Sequence, residues 1–187
     1  FKSWGRNPDF TYFGGNSELR GYEYLQFIDH QAFFANPELR FPLIEAMLTP
    51  LGVLGGLRGV FFANMGAAGF NTQSYQIMAN NTEIYPAIAG YDLINPITLE
   101  LATRYEPVPV SGFRLVDGRA SYGIGLESFI LGFPMHFDWS WRTLFNKDWE
   151  DALFRTCQQV TATSIDCRSD GGAFRKVKFS FWIGYDF

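Results

Sequence analysis

From Lys176 to Phe187 apolar and polar residues alternate without a break. Val177, Phe179, Phe181, Ile183, Tyr185 and Phe187 share one parity; Lys176, Lys178, Ser180, Trp182, Gly184 and Asp186 share the other. Side chains of a strand point alternately to its two faces, so the segment predicts a strand with one oily and one mostly polar side. The same alternation runs through Met135–Arg142, Ala120–Glu127, Leu57–Gly66 and Phe33–Phe41. Strands are therefore expected over 32–42, 57–67, 120–128, 134–142 and 175–187. Each is about as long as a tilted membrane-crossing strand, roughly 9–11 residues. A sandwich in water would alternate too, with the oily faces forming its core. Two features favour a membrane barrel instead. The polar faces carry mid-strand charges (Glu38, Arg40, Glu127, Asp138), and the opposite faces carry large aromatics such as Phe137, Trp139 and Trp141, clustered toward strand ends. Pro37 lacks the N–H for a ladder hydrogen bond and hints at a bulge in the first strand.

The connections alternate in character. Ser128–Pro134 reads as a tight turn, and Pro42–Gly56 as an apolar, Gly/Pro-rich connection. The stretches 68–119 and 143–174 are long and polar. Short turns on one side and long loops on the other suit a barrel in a bacterial outer membrane, with the C-terminus periplasmic and the long loops extracellular. Within the loops, Asn146–Arg155 predicts a short helix with Asn146 as N-cap ahead of Asp148 and Glu150. Ile97–Glu106 alternates again, either as a hairpin arm with Gly112–Val116 or as part of two extra membrane strands.

Composition agrees with this reading. Of 187 residues 47% are hydrophobic, 18% are aromatic, and Phe alone supplies 20. Aromatics suit strands and both interfaces of a membrane. No apolar run approaches the ~18 residues of a transmembrane helix. A net charge of −4 with no Lys/Arg block argues against a nucleic-acid partner. Cys157 and Cys167, close together in a polar segment, are expected to form one disulfide in an oxidising compartment. The histidines are His30 and His136. His136 shares a face with Asp138, but no nucleophile is placed with them, so neither enzymatic activity nor a cofactor is expected. The cysteines have no ligand partners at metal spacing, so no metal is expected either.

Ahead of the first strand lies Tyr12-Phe13-Gly14-Gly15-Asn16-Ser17-Glu18-Leu19-Arg20-Gly21-Tyr22. Gly14 and Gly15 permit a tight turn, and Arg20 is a fixed charge in a Gly-flanked loop. This segment resembles the loop motif of the outer-membrane protein-assembly superfamily, which includes BamA-like assembly proteins, two-partner secretion transporters and bacterial surface antigens. The family pattern is a Gly-Gly turn followed by an aliphatic residue, Arg, Gly and an aromatic, here Leu19-Arg20-Gly21-Tyr22. Glu38-Leu39-Arg40-Phe41-Pro42 and Leu57-Arg58-Gly59-Val60-Phe61-Phe62, leading to Asn64-Met65-Gly66, resemble the next family blocks in order. The last three predicted strands resemble the family's final three, so the resemblance covers almost the whole chain.

The resemblance implies an all-β fold: the C-terminal strands of an antiparallel transmembrane barrel of sixteen, preceded by a loop (1–31) that folds into the lumen. It implies that Arg20 meets Glu38 on the first strand. Asn64 stands on the second strand where the family often has Asp, and would offer a neutral amide in place of a carboxylate. The pattern begins mid-stream at Phe1, and five strands cannot close a barrel, so the chain is expected to be a fragment. The implied function is non-catalytic insertion or translocation of client proteins through a weakly paired seam. Phe179, Phe181, Gly184, Tyr185 and Phe187 would form this chain's side of that seam. Implied partners are outer-membrane lipid, the remainder of the barrel, N-terminal periplasmic domains and unfolded clients. The alternative is a passive pore or surface receptor that recognises ligands through its long loops.

Overall fold

The computed structural model describes residues 2–3, 11–13, 19–23, 27–29, 31–49, 52–69, 76–95, 97–130 and 133–184. The N-terminal third contains β1 (Lys2–Ser3), β2 (Thr11–Phe13), β3 (Phe27–Asp29), β4 (Gln31–Ala35), β5 (Glu38–Thr49) and β6 (Gly52–Gly69). Then come β7 (Met78–Asn95), β8 (Glu100–Leu115), β9 (Gly118–Ile130) and β10 (Phe133–Thr143). The chain continues through α1 (Lys147–Leu153), β11 (Arg155–Gln159), β12 (Ser164–Ser169), α2 (Gly171–Arg175) and β13 (Lys178–Ile183). The fold is all-β and antiparallel, and among the described residues its sheets are open rather than closed into a barrel.

Contacts divide the chain into two units: 1–77 with 115–143 and 176–187, and 78–114 with 144–175. The first holds the main sheet, in the order β1-β4-β6-β9-β10-β13, with β5 also on β6. β4 and β5 are successive pieces of one line along β6, interrupted at Asn36–Pro37. The interruption falls at Pro37, but the expected bulge is absent there: the register is the same on both sides, Ala35↔Met65 and Glu38↔Phe62. Pro37 has no N–H to give, but its carbonyl accepts from the Ala63 N–H at 3.1 Å.

Alternation places the two faces of this sheet as expected, and burial then separates them. The polar face is sheltered: Asn64, Ser121, Glu127, His136 and Asp138 are each no more than 4% exposed. The apolar face is open: Leu39 is 65%, Phe61 51%, Phe179 56% and Ile183 57% exposed. Cross-strand aromatic pairs line that open face, with Phe137–Phe181 at 5.1 Å, Trp139–Phe179 at 5.3 Å and Phe41–Phe61 at 5.3 Å between centroids. Such pairs stabilise strand register even where water reaches them.

Several expectations need correction. Pro42–Gly56 is not a loop: β5 runs on to Thr49 and β6 starts at Gly52, paired Thr49↔Gly52. A register shift between Pro42 and Ile44 accommodates the proline and breaks the alternation that would have revealed the strand. The last strand was expected from 175, but α2 occupies Gly171–Arg175 and pairing begins at Lys178. Residues 97–106 and 112–116 are not two arms of a hairpin, since Glu100–Leu115 forms one strand. The segment 1–31 is not all loop either, because β2 and β3 pair from Thr11↔Asp29 to Phe13↔Phe27.

The long insertions 68–119 and 143–174 are strongly structured. They supply the second unit, a four-stranded sheet in the order β11-β12-β7-β8. Cys157 and Cys167 are directly opposed on β11 and β12 and joined by a disulfide, with Cα atoms 4.0 Å apart. Asn146 caps α1, its Oδ1 accepting from the N–H groups of Asp148 (3.1 Å) and Trp149 (3.3 Å). Trp149, Val110 and Ala152 form a small core with Tyr85, Val108 and Leu153 packed against it. Buried Glu150 accepts from the Leu144 N–H at 2.7 Å and pairs with Arg175 at 2.9 Å, which also pairs with Asp151 at 2.9 Å.

Candidate functional site

The site is built on the sheltered polar face of the main sheet. Of the motif loop, Gly14 and Gly15 lie outside the described residues, whereas Leu19, Arg20, Gly21 and Tyr22 are described and buried. The Tyr22 N–H donates to the Leu19 carbonyl at 3.3 Å, closing a turn, and the Tyr22 hydroxyl donates to the Ala120 carbonyl at 3.2 Å. Gly21 is required twice over. Its φ of +89° is a region L side chains avoid, and a Cβ there would lie 2.8 Å from Ser140 Oγ. The loop backbone therefore presses directly onto β10.

Arg20 is 2% exposed. Its Nη1 lies 2.6 Å from Glu38 Oε1 on β5, close in distance but off the line of a good hydrogen bond. Its Nε lies 3.2 Å from Asp138 Oδ2 on β10, and its guanidinium carbon stands 4.5 Å over the Phe62 ring centroid on β6. β5 and β10 are separated by β6 and β9, three strand spacings, or about 14 Å in a flat sheet. One guanidinium reaching both carboxylates means that the polar face is concave. Glycines on β9 make room for this. A Cβ at Gly123 would collide with the Phe62 ring, and one at Gly125 with the Asp138 carboxylate.

Charges alternate across the concave face. Glu38 also pairs with Arg40 at 2.7 Å, and Arg40 reaches Glu127 at 3.5 Å. Asp138 Oδ2 also accepts a hydrogen bond from Trp182 Nε1 on β13 at 2.9 Å. Trp182 stacks on His136 with ring centroids 3.7 Å apart, and His136 Nε2 lies 3.1 Å from the Gly184 carbonyl oxygen. In the loop, the Glu23 carboxylate accepts from Lys178 Nζ at the start of β13. That hydrogen bond, with the ammonium charge, holds the Glu23 carboxyl below its ordinary range.

Sequence reasoning and structure differ at one partner of Arg20. Glu38 is where the resemblance put it, but the second group is Asp138 rather than Asn64. Asn64 is 3% exposed on the same face, and its Oδ1 has no hydrogen-bond partner among the described residues. Alternation had already placed Asp138 on the polar face. What it could not supply was the curvature that brings β10 across to β5. Of the expected seam residues, Phe179 and Phe181 stand on the open face of β13, and Tyr185 and Phe187 lie outside the described residues, as does His30. The described register of β13 runs to Ile183 opposite Met135; Gly184 follows with φ +153°, its N–H donating to the Pro134 carbonyl at 3.1 Å. No family model, no curated protein and no solved structure matches the chain.

Proposed function

We propose that the chain is the C-terminal part of an outer-membrane β-barrel of the protein assembly and translocation class, with the apolar face of the main sheet in lipid and the polar face toward the barrel interior. The observation that carries the reading is the inverted burial of the two faces. A sheet in water buries its oily face, because exposed apolar area costs about 25 cal/mol per Å². Here the oily face is open and the charged face is sheltered. Lipid removes the cost on the first face, and an interior lined by ion pairs suits the second. No described helix is long and apolar enough to cross a membrane. An open sheet edge is not tolerated in lipid, so the remainder of the barrel must pair with these strands.

In this reading no chemical step is needed. A client strand adds to the free edge of β13 by β-augmentation, guided by main-chain hydrogen bonds. Among the described residues β13 pairs with β10 on one side, which supports a seam at its other edge. The motif resemblance supports assembly over other barrel functions, with periplasmic domains and unfolded clients as partners. A second reading, a pore or receptor, draws support from the disulfide-bonded sheet built by the two long insertions, which is ordered enough to recognise a ligand. Reconstitution of the full-length protein in vesicles separates the two. Assembly predicts faster insertion of an unfolded barrel client. An unchanged client rate beside a steady ionic conductance would replace assembly with the pore.

A further inference from the structure

The motif loop reaches the last strand at two points. Asp138 Oδ2 lies between Arg20 Nε at 3.2 Å and Trp182 Nε1 at 2.9 Å, so the loop and β13 share a single oxygen atom. At the other end of the same strand, Lys178 pairs with Glu23, two residues past Gly21 in the loop. We propose that Asp138 is a positioning residue that couples the loop to β13, so that loop docking sets how firmly the last strand is held.

The two contacts differ in weight. Glu23 and Lys178 are 75% and 39% exposed, and an exposed pair of this kind contributes little. Asp138 has a 3% exposed side chain, and a sheltered carboxylate depends on its donors. With Arg20 in place, guanidinium and indole both point at Oδ2, and the carboxylate is held where Trp182 can reach it. When the loop leaves, the Asp138 carboxylate loses the Arg20 guanidinium that holds it in place. Trp182 then loses a fixed acceptor. Its ring is also the stacking partner of His136, which contacts the Gly184 carbonyl, so the disturbance passes to the end of β13. Because β13 has β10 as its sole described neighbour, side-chain anchors matter more there than in a central strand. The consequence for client entry rests on the proposed seam; the coupling itself does not.

Hydrogen exchange on the full-length protein in detergent tests the coupling, and vesicle insertion of the same variants reads the membrane proposal separately. Arg20→Ala and Asp138→Asn should each raise exchange of amides 178–183 about ten-fold or more, the factor expected from one lost charge-assisted hydrogen bond. Amides of the β5–β6 hairpin should be unchanged. Trp182→Phe keeps the Arg20–Asp138 pair and should loosen 178–183 while leaving 19–23 protected. Asn64→Asp combined with Asp138→Asn offers Arg20 a carboxylate on another strand, and should protect the loop again without restoring β13. Unchanged exchange of 178–183 in Arg20→Ala or in Trp182→Phe would overturn the proposal, as would full restoration of β13 in the double variant.

Discussion

Replacing Arg20 by alanine removes a guanidinium that touches two carboxylates and a phenyl ring, and the cost can be apportioned from their surroundings. Glu38 keeps Arg40 at 2.7 Å, and its side chain is 16% exposed, so its share of the loss is about 0.5–1 kcal/mol. Asp138 is 2% exposed and keeps the Trp182 indole N–H, a neutral donor. Breaking a sheltered ion pair by removing one partner costs about 3–5 kcal/mol, and this share dominates. The guanidinium over Phe62 adds about 0.5–1 kcal/mol. The expected destabilisation of loop docking is therefore about 4–7 kcal/mol, most of it from Asp138. Arg20→Lys keeps the charge but not the planar fork, and one ammonium cannot face β5 and β10 in the same geometry. Its cost should be about 1.5–3 kcal/mol, the value of one hydrogen bond to a charged group. Denaturant unfolding in detergent, with protection of amides 19–23 as the local probe, measures both. An Arg20→Ala variant within about 0.5 kcal/mol of wild type, the range of an ordinary surface substitution, would refute this account of the site.

The remaining predictions concern single contacts. Asn64→Ala should cost no more than about 1 kcal/mol, since it removes a buried amide oxygen that lacks a partner among the described residues; a loss as large as that of Asp138→Ala, compared in the same unfolding experiment, would show that Asn64 holds the loop after all. Reduction of Cys157–Cys167, ten residues apart, should destabilise the second unit by about 3 kcal/mol on the chain-entropy argument, read as faster exchange over 155–169 with no change in β9 and β10. The Glu23 carboxyl is held below its ordinary range, so its contribution is full above the unfolded value and is lost as pH falls through the lowered folded value. Lys178→Gln should return that titration, followed by NMR of the Glu23 side chain, to the ordinary carboxylate range.

Strand positions in the main sheet were largely legible because the period of two is unbroken where neighbouring strands pair regularly, as in Ala120–Glu127 and Met135–Arg142, whereas β7, β8, β11 and β12 lie in stretches expected as long loops. The reading failed where regularity fails. Past Pro42 a register shift moves residues to the other face, and the Gly-rich start of β6 carries few side chains to show a pattern. The cap at Asn146 was visible because capping is local, and the disulfide because spacing and composition suffice. Half of the Arg20 site was visible for a different reason: Glu38 comes from the resemblance, which fixes strand order. Asp138 was hidden because its contact depends on the curvature of the sheet, a property of several strands together. The glycines at 123 and 125 were the available signal, since they leave space opposite Phe62 and Asp138.

The central claim is that the open apolar face lies in lipid, and labelling at single cysteines tests it most directly. Cysteines placed at Ile124, Phe179 and Phe181 on one face, and at Ser121 and Ser140 on the other, can be exposed to a lipid-confined thiol reagent in vesicles carrying the full-length protein. The native pair Cys157–Cys167 is already joined and does not react. The account predicts labelling at Ile124, Phe179 and Phe181 and protection at Ser121 and Ser140. Equal labelling of the two sets, or none in either, would contradict it and return the sheet to a soluble sandwich.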